Sequence, residues 1–281
     1  MPALFTHGMP FALTELFPDQ DYHFHLTLRR GDTRAFFRSH TPEVLAERSR
    51  WLDTHPAPYA AATSDAGPLI AQMESLVASW DDHASLVPPA EAASALLPRL
   101  IALGKSLEPD FLLLQPNAAG EFVLKAGVVC FPSWWALTEK IGLPLESIHE
   151  VVPGLNPALG AAIGTFLGKL KPVNPYERSN WGIAATPELN LHPVLERPRL
   201  RSPLDPERTW IRVEDQILAA LPADQGLLFG IALRIIPLTD ILQDSVVRAG
   251  FHRALTTLSP ALAAYKGLTP ILSELLAVSR P

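Results

Sequence analysis

The 281-residue chain has one cysteine, Cys130. That excludes an internal disulfide, a Cys-x-x-Cys zinc or redox site, c-type heme attachment and a cysteine-held iron–sulfur centre. A lone cysteine fits a reducing compartment. No run reaches the roughly 20 apolar residues that a membrane helix needs. No basic segment followed by an apolar core opens the chain, so no secretion signal is visible and a cytoplasmic protein is expected. No glycine-rich phosphate loop appears, so any flavin or nicotinamide would sit on another chain. Positive charge is also short: 23 Lys and Arg face 29 Asp and Glu, for a net charge of −6. Nucleic acid and anionic membrane are therefore not expected as partners.

What is abundant is apolar and proline content. Hydrophobic residues make up 48%, enough for a sizeable core, and 28 prolines are spread along the chain, marking many rigid loops. The pattern reads as one α+β domain in three parts. Residues 1–108 are a mostly helical cover, 109–236 carry an antiparallel sheet and the motifs, and 237–281 are closing helices. Tyr22 to Arg30 alternates as a half-buried strand, with Thr33 to Arg38 pairing back on it. Helices fit Pro42 to Leu52, Leu69 to Trp80 and Ala90 to Leu103. Phe111 to Gln115 and Glu121 to Phe131 form a hairpin around Asn117 to Gly120. Trp181 to Ala185, Thr209 to Val213 and Leu227 to Ile236 supply further strands, and Leu238 to Leu258 reads as a helix.

The densest stretch begins Val129-Cys130-Phe131-Pro132-Ser133-Trp134. Pro132 ends the strand, and Ser133 is expected to cap a short helix from Trp134 to Ile141, closed by Gly142. His149 follows, in a segment bounded by Pro144 and Pro153. Asn156 and Pro157 fit the start of the next helix. There Leu159, Ile163, Phe166 and Leu170 make an apolar stripe, while Gly160, Gly164 and Gly168 make a flat second face. Interior glycines each cost about 1 kcal/mol relative to alanine, so something must approach that backbone closely. His23 and His25 share one strand face, but no carboxylate or cysteine joins them, and an exposed face is the simpler reading.

Glu139-Lys140-Ile141-Gly142, Ile148-His149-Glu150-Val151-Val152-Pro153-Gly154 and Arg178-Ser179-Asn180-Trp181 recur in an order that resembles the heme-dependent oxidative N-demethylase family. So do Ile211-Arg212-Val213-Glu214-Asp215-Gln216, Phe229-Gly230-Ile231 and Tyr265-Lys266-Gly267. The likeness covers about 111–267 well and the first hundred residues weakly. It implies a PAS-like fold holding heme b. The implied activity is oxygen-dependent removal of a methyl group from a small secondary amine, giving formaldehyde, with electrons from separate flavin and iron–sulfur reductase subunits.

On that resemblance His149 is the candidate axial iron ligand, with His192 its competitor. Arg178 would pair with a heme propionate. Asn180 would donate to oxygen or orient the amine, and Trp181 would wall the pocket; an arginine salt bridge and a core tryptophan are the plain alternatives. Arg212 is a further cofactor candidate. Gly160 and Gly164 would lie against the porphyrin or, equally, against a neighbouring helix or strand. Two departures stand out. Asp215 replaces an arginine, and Gln115-Pro116-Asn117 replaces a segment carrying two carboxylates. If those carboxylates serve a substrate ammonium, dimethylamine is expected to turn over poorly. A non-enzymatic heme-binding or gas-sensing protein, and a heme-free interaction protein, remain the other readings.

Overall fold

A computed structural model describes residues 11–24, 27–38, 41–80, 95–222 and 226–281. Its frame is a seven-stranded sheet in which every pairing is antiparallel. In chain order the strands are β1 (Arg29–Arg30), β2 (Ala60–Ala62), β3 (Asp110–Pro116), β4 (Phe122–Val128), β5 (Tyr176–Ala184), β6 (Trp210–Ala220) and β7 (Leu227–Pro237). Their order across the sheet is β1-β5-β6-β7-β3-β4-β2. The two short outer strands come from the first hundred residues, which therefore seal both edges of the later sheet and limit edge pairing with other chains.

The helices are α1 (Leu13–Leu16), α2 (Thr33–Arg38), α3 (Pro42–Thr54), α4 (Gly67–Ala78), α5 (Leu96–Ser106), α6 (Leu145–His149), α7 (Leu155–Leu167), α8 (Leu238–Gln243), α9 (Ser245–Thr257), α10 (Pro260–Tyr265) and α11 (Leu272–Val278). Strand side chains alternate between faces, and here the two faces have different covers. On one face, α2 to α5 bury Phe111, Leu113, Val128, Ile217 and Leu228. Further along that face, α8 to α11 bury Trp181, Ile183, Ile211, Val213 and Ile236. Between the two groups, Asp215 pairs with Arg234, at 2.5 and 3.0 Å. On the other face, α6 and α7 pack Ile148, Ile163, Phe166 and Leu167 over Leu114, Leu124, Leu218 and Phe229.

Several expected elements differ. Of the described residues between Tyr22 and Arg30, only Arg29 and Arg30 pair in the sheet. Thr33–Arg38 is a helix, not a returning strand, because both Phe36 and Phe37 are buried, which a strand would point to opposite faces. The span from 238 to 258 is two helices: Asp244 breaks the first and accepts from Val246 N and Val247 N to start the second. Asn156 does not cap α7. Gly154 does, at φ 81°, and the Asn156 amide instead donates to Glu146 O at 2.8 Å, tying α7 to α6. Ser133 caps no helix. Trp134 turns into the left-handed region at φ 66°, and only a 3-10 turn at Leu137–Glu139 follows. His25 and the first residues of the expected Ala90–Leu103 helix lie outside the described residues; α5 supplies the remainder.

Candidate active site

The register of β5 on β6 sets the site. Arg178 stands opposite Gln216, Asn180 opposite Glu214, and Gly182 opposite Arg212. Antiparallel partners share a face, so these six residues lie on the face that α6 and α7 cover at one end. Arg178 is half-buried, and its side chain has no hydrogen-bond or ion-pair partner among the described residues. Burial pushes its guanidinium down, with Glu214 and then Tyr22 acting against the shift. Asn180 is exposed. A methyl group built on Gly182 would meet nothing within 4 Å.

His149 closes α6 and is brought close enough to Arg178 to feel its charge. Burial first, then Arg178, pushes the imidazole down to about 4, so it is neutral at physiological pH. It too is half-buried, and its ring has no hydrogen-bond partner among the described residues. The segment that places it is pinned to β4: Leu124 N donates to Leu143 O at 3.0 Å and Gly142 N to Leu124 O at 2.8 Å.

Glu214 is the residue around which this face is wired. Ser133 Oγ donates to its Oε1 at 2.6 Å, and Gln216 Nε2 donates to its Oε2 at 3.1 Å. Its charge is felt at Arg178, Arg212, Tyr265 and Lys266. Lys266 donates to Trp181 O at 2.6 Å, and burial pushes its ammonium down to about 8 with Glu214 acting against the shift. Sequence reading placed Glu214 in a motif without giving it a role. The available signal was the alternation Arg212, Glu214, Gln216, which puts three polar side chains on one face of a buried strand.

Two expected roles are corrected. Trp181 does not wall this pocket. Strand alternation turns it to the opposite face from Arg178 and Asn180, where it is 6% exposed. It packs there against Phe17 and Phe251, at ring-centroid distances of 5.2 and 6.1 Å. Arg212 faces the site but spends its donors on the protein. Nε donates to Ser133 Oγ at 2.8 Å, Nη1 to Glu188 O at 3.2 Å, and Nη2 to Phe131 O at 2.7 Å and Leu189 O at 2.6 Å. It clamps the Phe131–Ser133 corner to the Glu188–Leu189 loop and does not reach out for a cofactor.

On α7, a methyl on Gly164 would meet nothing within 4 Å, and one on Gly160 would meet only Asn156, at 3.7 Å. No neighbouring element among the described residues presses on this ridge. Gln115 to Asn117 lies elsewhere. Asp110 is in the row of Arg178 through Ile231 and Gln216, and Pro116 is six residues further along β3, roughly 20 Å at the usual strand rise. There Asn117 Oδ1 accepts from Ala119 N at 2.9 Å and Glu121 N at 3.0 Å, holding an exposed turn. The lost carboxylates therefore fall at a hairpin tip remote from Arg178, and the expectation of poor dimethylamine turnover loses its premise.

His192 is a core residue, 6% exposed. Its Nδ1 accepts from Val194 N at 3.2 Å and its ring packs on Tyr59 at 5.4 Å. Cys130 is fully buried, and burial pushes its thiol up to about 12, so it offers no thiolate. A cavity of about 500 Å³, lined by Glu43, Glu47, Arg50 and Glu188 among others, holds none of the candidate residues. Among the described residues no three His, Cys, Asp or Glu converge to hold a metal ion, and no helix is long and apolar enough to cross a membrane. The arrangement of His149, Arg178, Asn180 and Glu214 falls within residues 77–276, which match the family model described as haem-dependent oxidative N-demethylase, alpha subunit-like. The chain belongs to that family.

Proposed function

We propose that the chain is a heme b-binding subunit that oxidises the methyl group of a small amine with O2 and releases formaldehyde, drawing electrons from a separate flavin and iron–sulfur reductase. The observation that carries this reading is the pair His149 and Arg178. A neutral imidazole and a guanidinium stand close enough for the charge of one to act on the other, both are half-buried, and neither side chain has a hydrogen-bond partner among the described residues. A half-buried arginine whose nearest carboxylate, Glu214, acts on it only through space without an ion-pair contact gains from an anion that meets it directly.

The residues present fit heme. When bound, it supplies the oxygen activation and the oxidising power. His149, held neutral by burial and by Arg178, offers a ring nitrogen to the iron. Arg178 presents forked donors to a propionate. Gly160, Gly164 and Gly182 leave room where side chains would obstruct a flat ring. Asn180 holds an exposed amide that donates to oxygen or orients the amine. Arg212 and Ser133 act behind these groups, fixing the corner that faces them.

The test is a visible spectrum of the purified chain mixed with one equivalent of heme, then formaldehyde release from dimethylamine with a competent reductase. A protein-bound Soret band and amine-dependent formaldehyde are expected. A spectrum identical to free heme would contradict the reading.

A further inference from the structure

We propose that the outer edge of the sheet, where β1 meets β5, is the docking surface for the electron-supplying subunit, which meets it with a carboxylate-rich face. This rests on the reading above, in which electrons come from a separate chain.

Charge reverses sign at this edge. Residues 29–38 and 169–177 hold six Lys and Arg but only two acids, Asp32 and Glu177. They carry a net +4 in a chain of net −6, so the rest of the chain carries −10. The fold joins the two segments. Arg29 and Arg30 pair with Glu177 and Tyr176, and Gly31 N donates to Pro175 O at 3.0 Å. Just before Pro175, Asn174 N donates to Lys171 O at 2.9 Å, which turns the chain back to this edge. Gly31 and Asp32 lead straight from β1 into α2, a helix about 9 Å long, so Arg34 and Arg38 stay near. One of the two acids is already committed, since Glu177 accepts from Arg29 at 3.1 Å. Arg30, Arg38, Lys169 and Lys171 are exposed.

Val173 sits among these cations. It is 84% exposed, more than any other large hydrophobic side chain among the described residues. An apolar centre with a charged rim is how a protein–protein contact is built. Its position suits an electron donor. Arg30 lies over the Tyr176 ring, 4.6 Å from its centroid. Tyr176 and Arg178 are two residues apart on β5 and share a face, roughly 7 Å at the usual strand rise. The patch therefore runs from the surface to the side chain proposed to hold the cofactor's carboxylate. Redox partners meet through small, transient contacts, and complementary charge speeds their encounter. The charge pattern also favours a compact partner. Duplex nucleic acid or an anionic membrane would extend past the patch and meet the negative remainder of the chain, whereas an acidic protein can cover the patch alone.

The experiment is a binding titration of the full chain, with heme uptake recorded on the same samples. The probe is a plant-type ferredoxin, a small acidic iron–sulfur protein. Binding is measured at about 0.01 M and about 0.1 M salt, where screening lengths are roughly 30 and 10 Å. Wild type should bind the ferredoxin, and more weakly at the higher salt. Arg30→Glu with Lys171→Glu should bind at least about ten-fold more weakly at low salt, because like charges then face each other. Lys169→Glu with Lys171→Glu leaves β1 untouched and carries the test if the first variant does not fold. Lys105→Glu with Lys125→Glu makes the same change of net charge near β2, at the opposite edge of the sheet, and should bind as wild type does. No ferredoxin binding by wild type, or equal losses in every variant, overturns the proposal. So does tighter binding of duplex DNA or phosphatidylserine vesicles through the same residues. Ferredoxin binding through this edge in a chain that takes up no heme would sustain the docking surface and defeat the proposed function instead.

Discussion

Arg212 reaches Glu214 through a single hydroxyl: its Nε donates to Ser133 Oγ at 2.8 Å, and that oxygen donates on to Glu214 Oε1 at 2.6 Å. The link explains the left-handed Trp134. A bulky residue at φ 66° costs about 1–2 kcal/mol. The turn follows directly on Ser133, which stands between the two charges, and the carbonyls of Phe131 and, from a separate loop, Leu189 accept from the guanidinium.

Replacing Arg212 should therefore be a stability lesion first. Arg212→Met leaves the Phe131, Glu188 and Leu189 carbonyls without their donor. Each buried group left unpaired costs about 1–3 kcal/mol, so a loss of roughly 3 kcal/mol or more is expected. Urea unfolding checks it, and a loss below about 1 kcal/mol would show that the carbonyls find other partners.

A second buried pair sits behind the site. Arg48 donates to Asp110 at 2.5 Å, and Asp110 also accepts from Cys130 N at 2.8 Å and Phe131 N at 3.0 Å. Removing one partner of such a pair costs about 3–5 kcal/mol, whereas replacing both with apolar residues costs far less. Asp110→Leu alone should be severe and Arg48→Met with Asp110→Leu milder, although the two amides still lose their acceptor. Equal losses in the single and double variants would contradict this.

Lys266 predicts a pH effect with a definite sign. Burial holds its folded value at about 8, below the ordinary 10.5. Between these values the unfolded chain binds the extra proton, so this residue's contribution to stability rises with pH from about 8 to about 10.5. Below about 8 the cost of burying the charge is fully present. The stability difference between wild type and Lys266→Met, followed by thermal or urea unfolding across that window, should shift in favour of wild type as pH rises. A flat difference would mean that the amine is not desolvated.

Cys130 should be chemically silent. It is fully buried and its thiol is pushed up to about 12. Labelling by a thiol reagent at neutral pH should proceed at the rate of unfolding and accelerate only in denaturant. Fast stoichiometric labelling of the native chain would place Cys130 at the surface.

The local signals in the sequence translated well. Asn117 to Gly120 makes the turn of the β3–β4 hairpin, with Gly120 at φ 83°, and Gly142 stands at φ 82° where a stop was expected. Long-range information was less visible. Alternation from Tyr22 to Arg30 shows that those residues can form a strand, but among the described ones only Arg29 and Arg30 find a pairing partner. Strand β6 runs seven residues past the expected end at Val213, because Glu214, Asp215 and Gln216 look like a polar interruption until their partners Ser133, Arg234 and Ser179 arrive from distant parts of the chain. The same non-locality hid the site. His149 and Arg178 stood in separate motifs, and only strand register shows that Arg178 and Asn180 share Glu214's face while Trp181 does not.

The central claim is that His149 holds iron beside Arg178, and one titration tests it most directly. Heme is added to wild type, His149→Ala and His192→Ala, and the Soret band is followed to saturation. The account predicts a shifted Soret position and at least about ten-fold weaker retention for His149→Ala, in the range seen when a metal ligand's supporting interactions are lost, with heme affinity and band position unchanged in a folded His192→Ala. Loss of the band in His192→Ala alone, with His149→Ala indistinguishable from wild type, would contradict it.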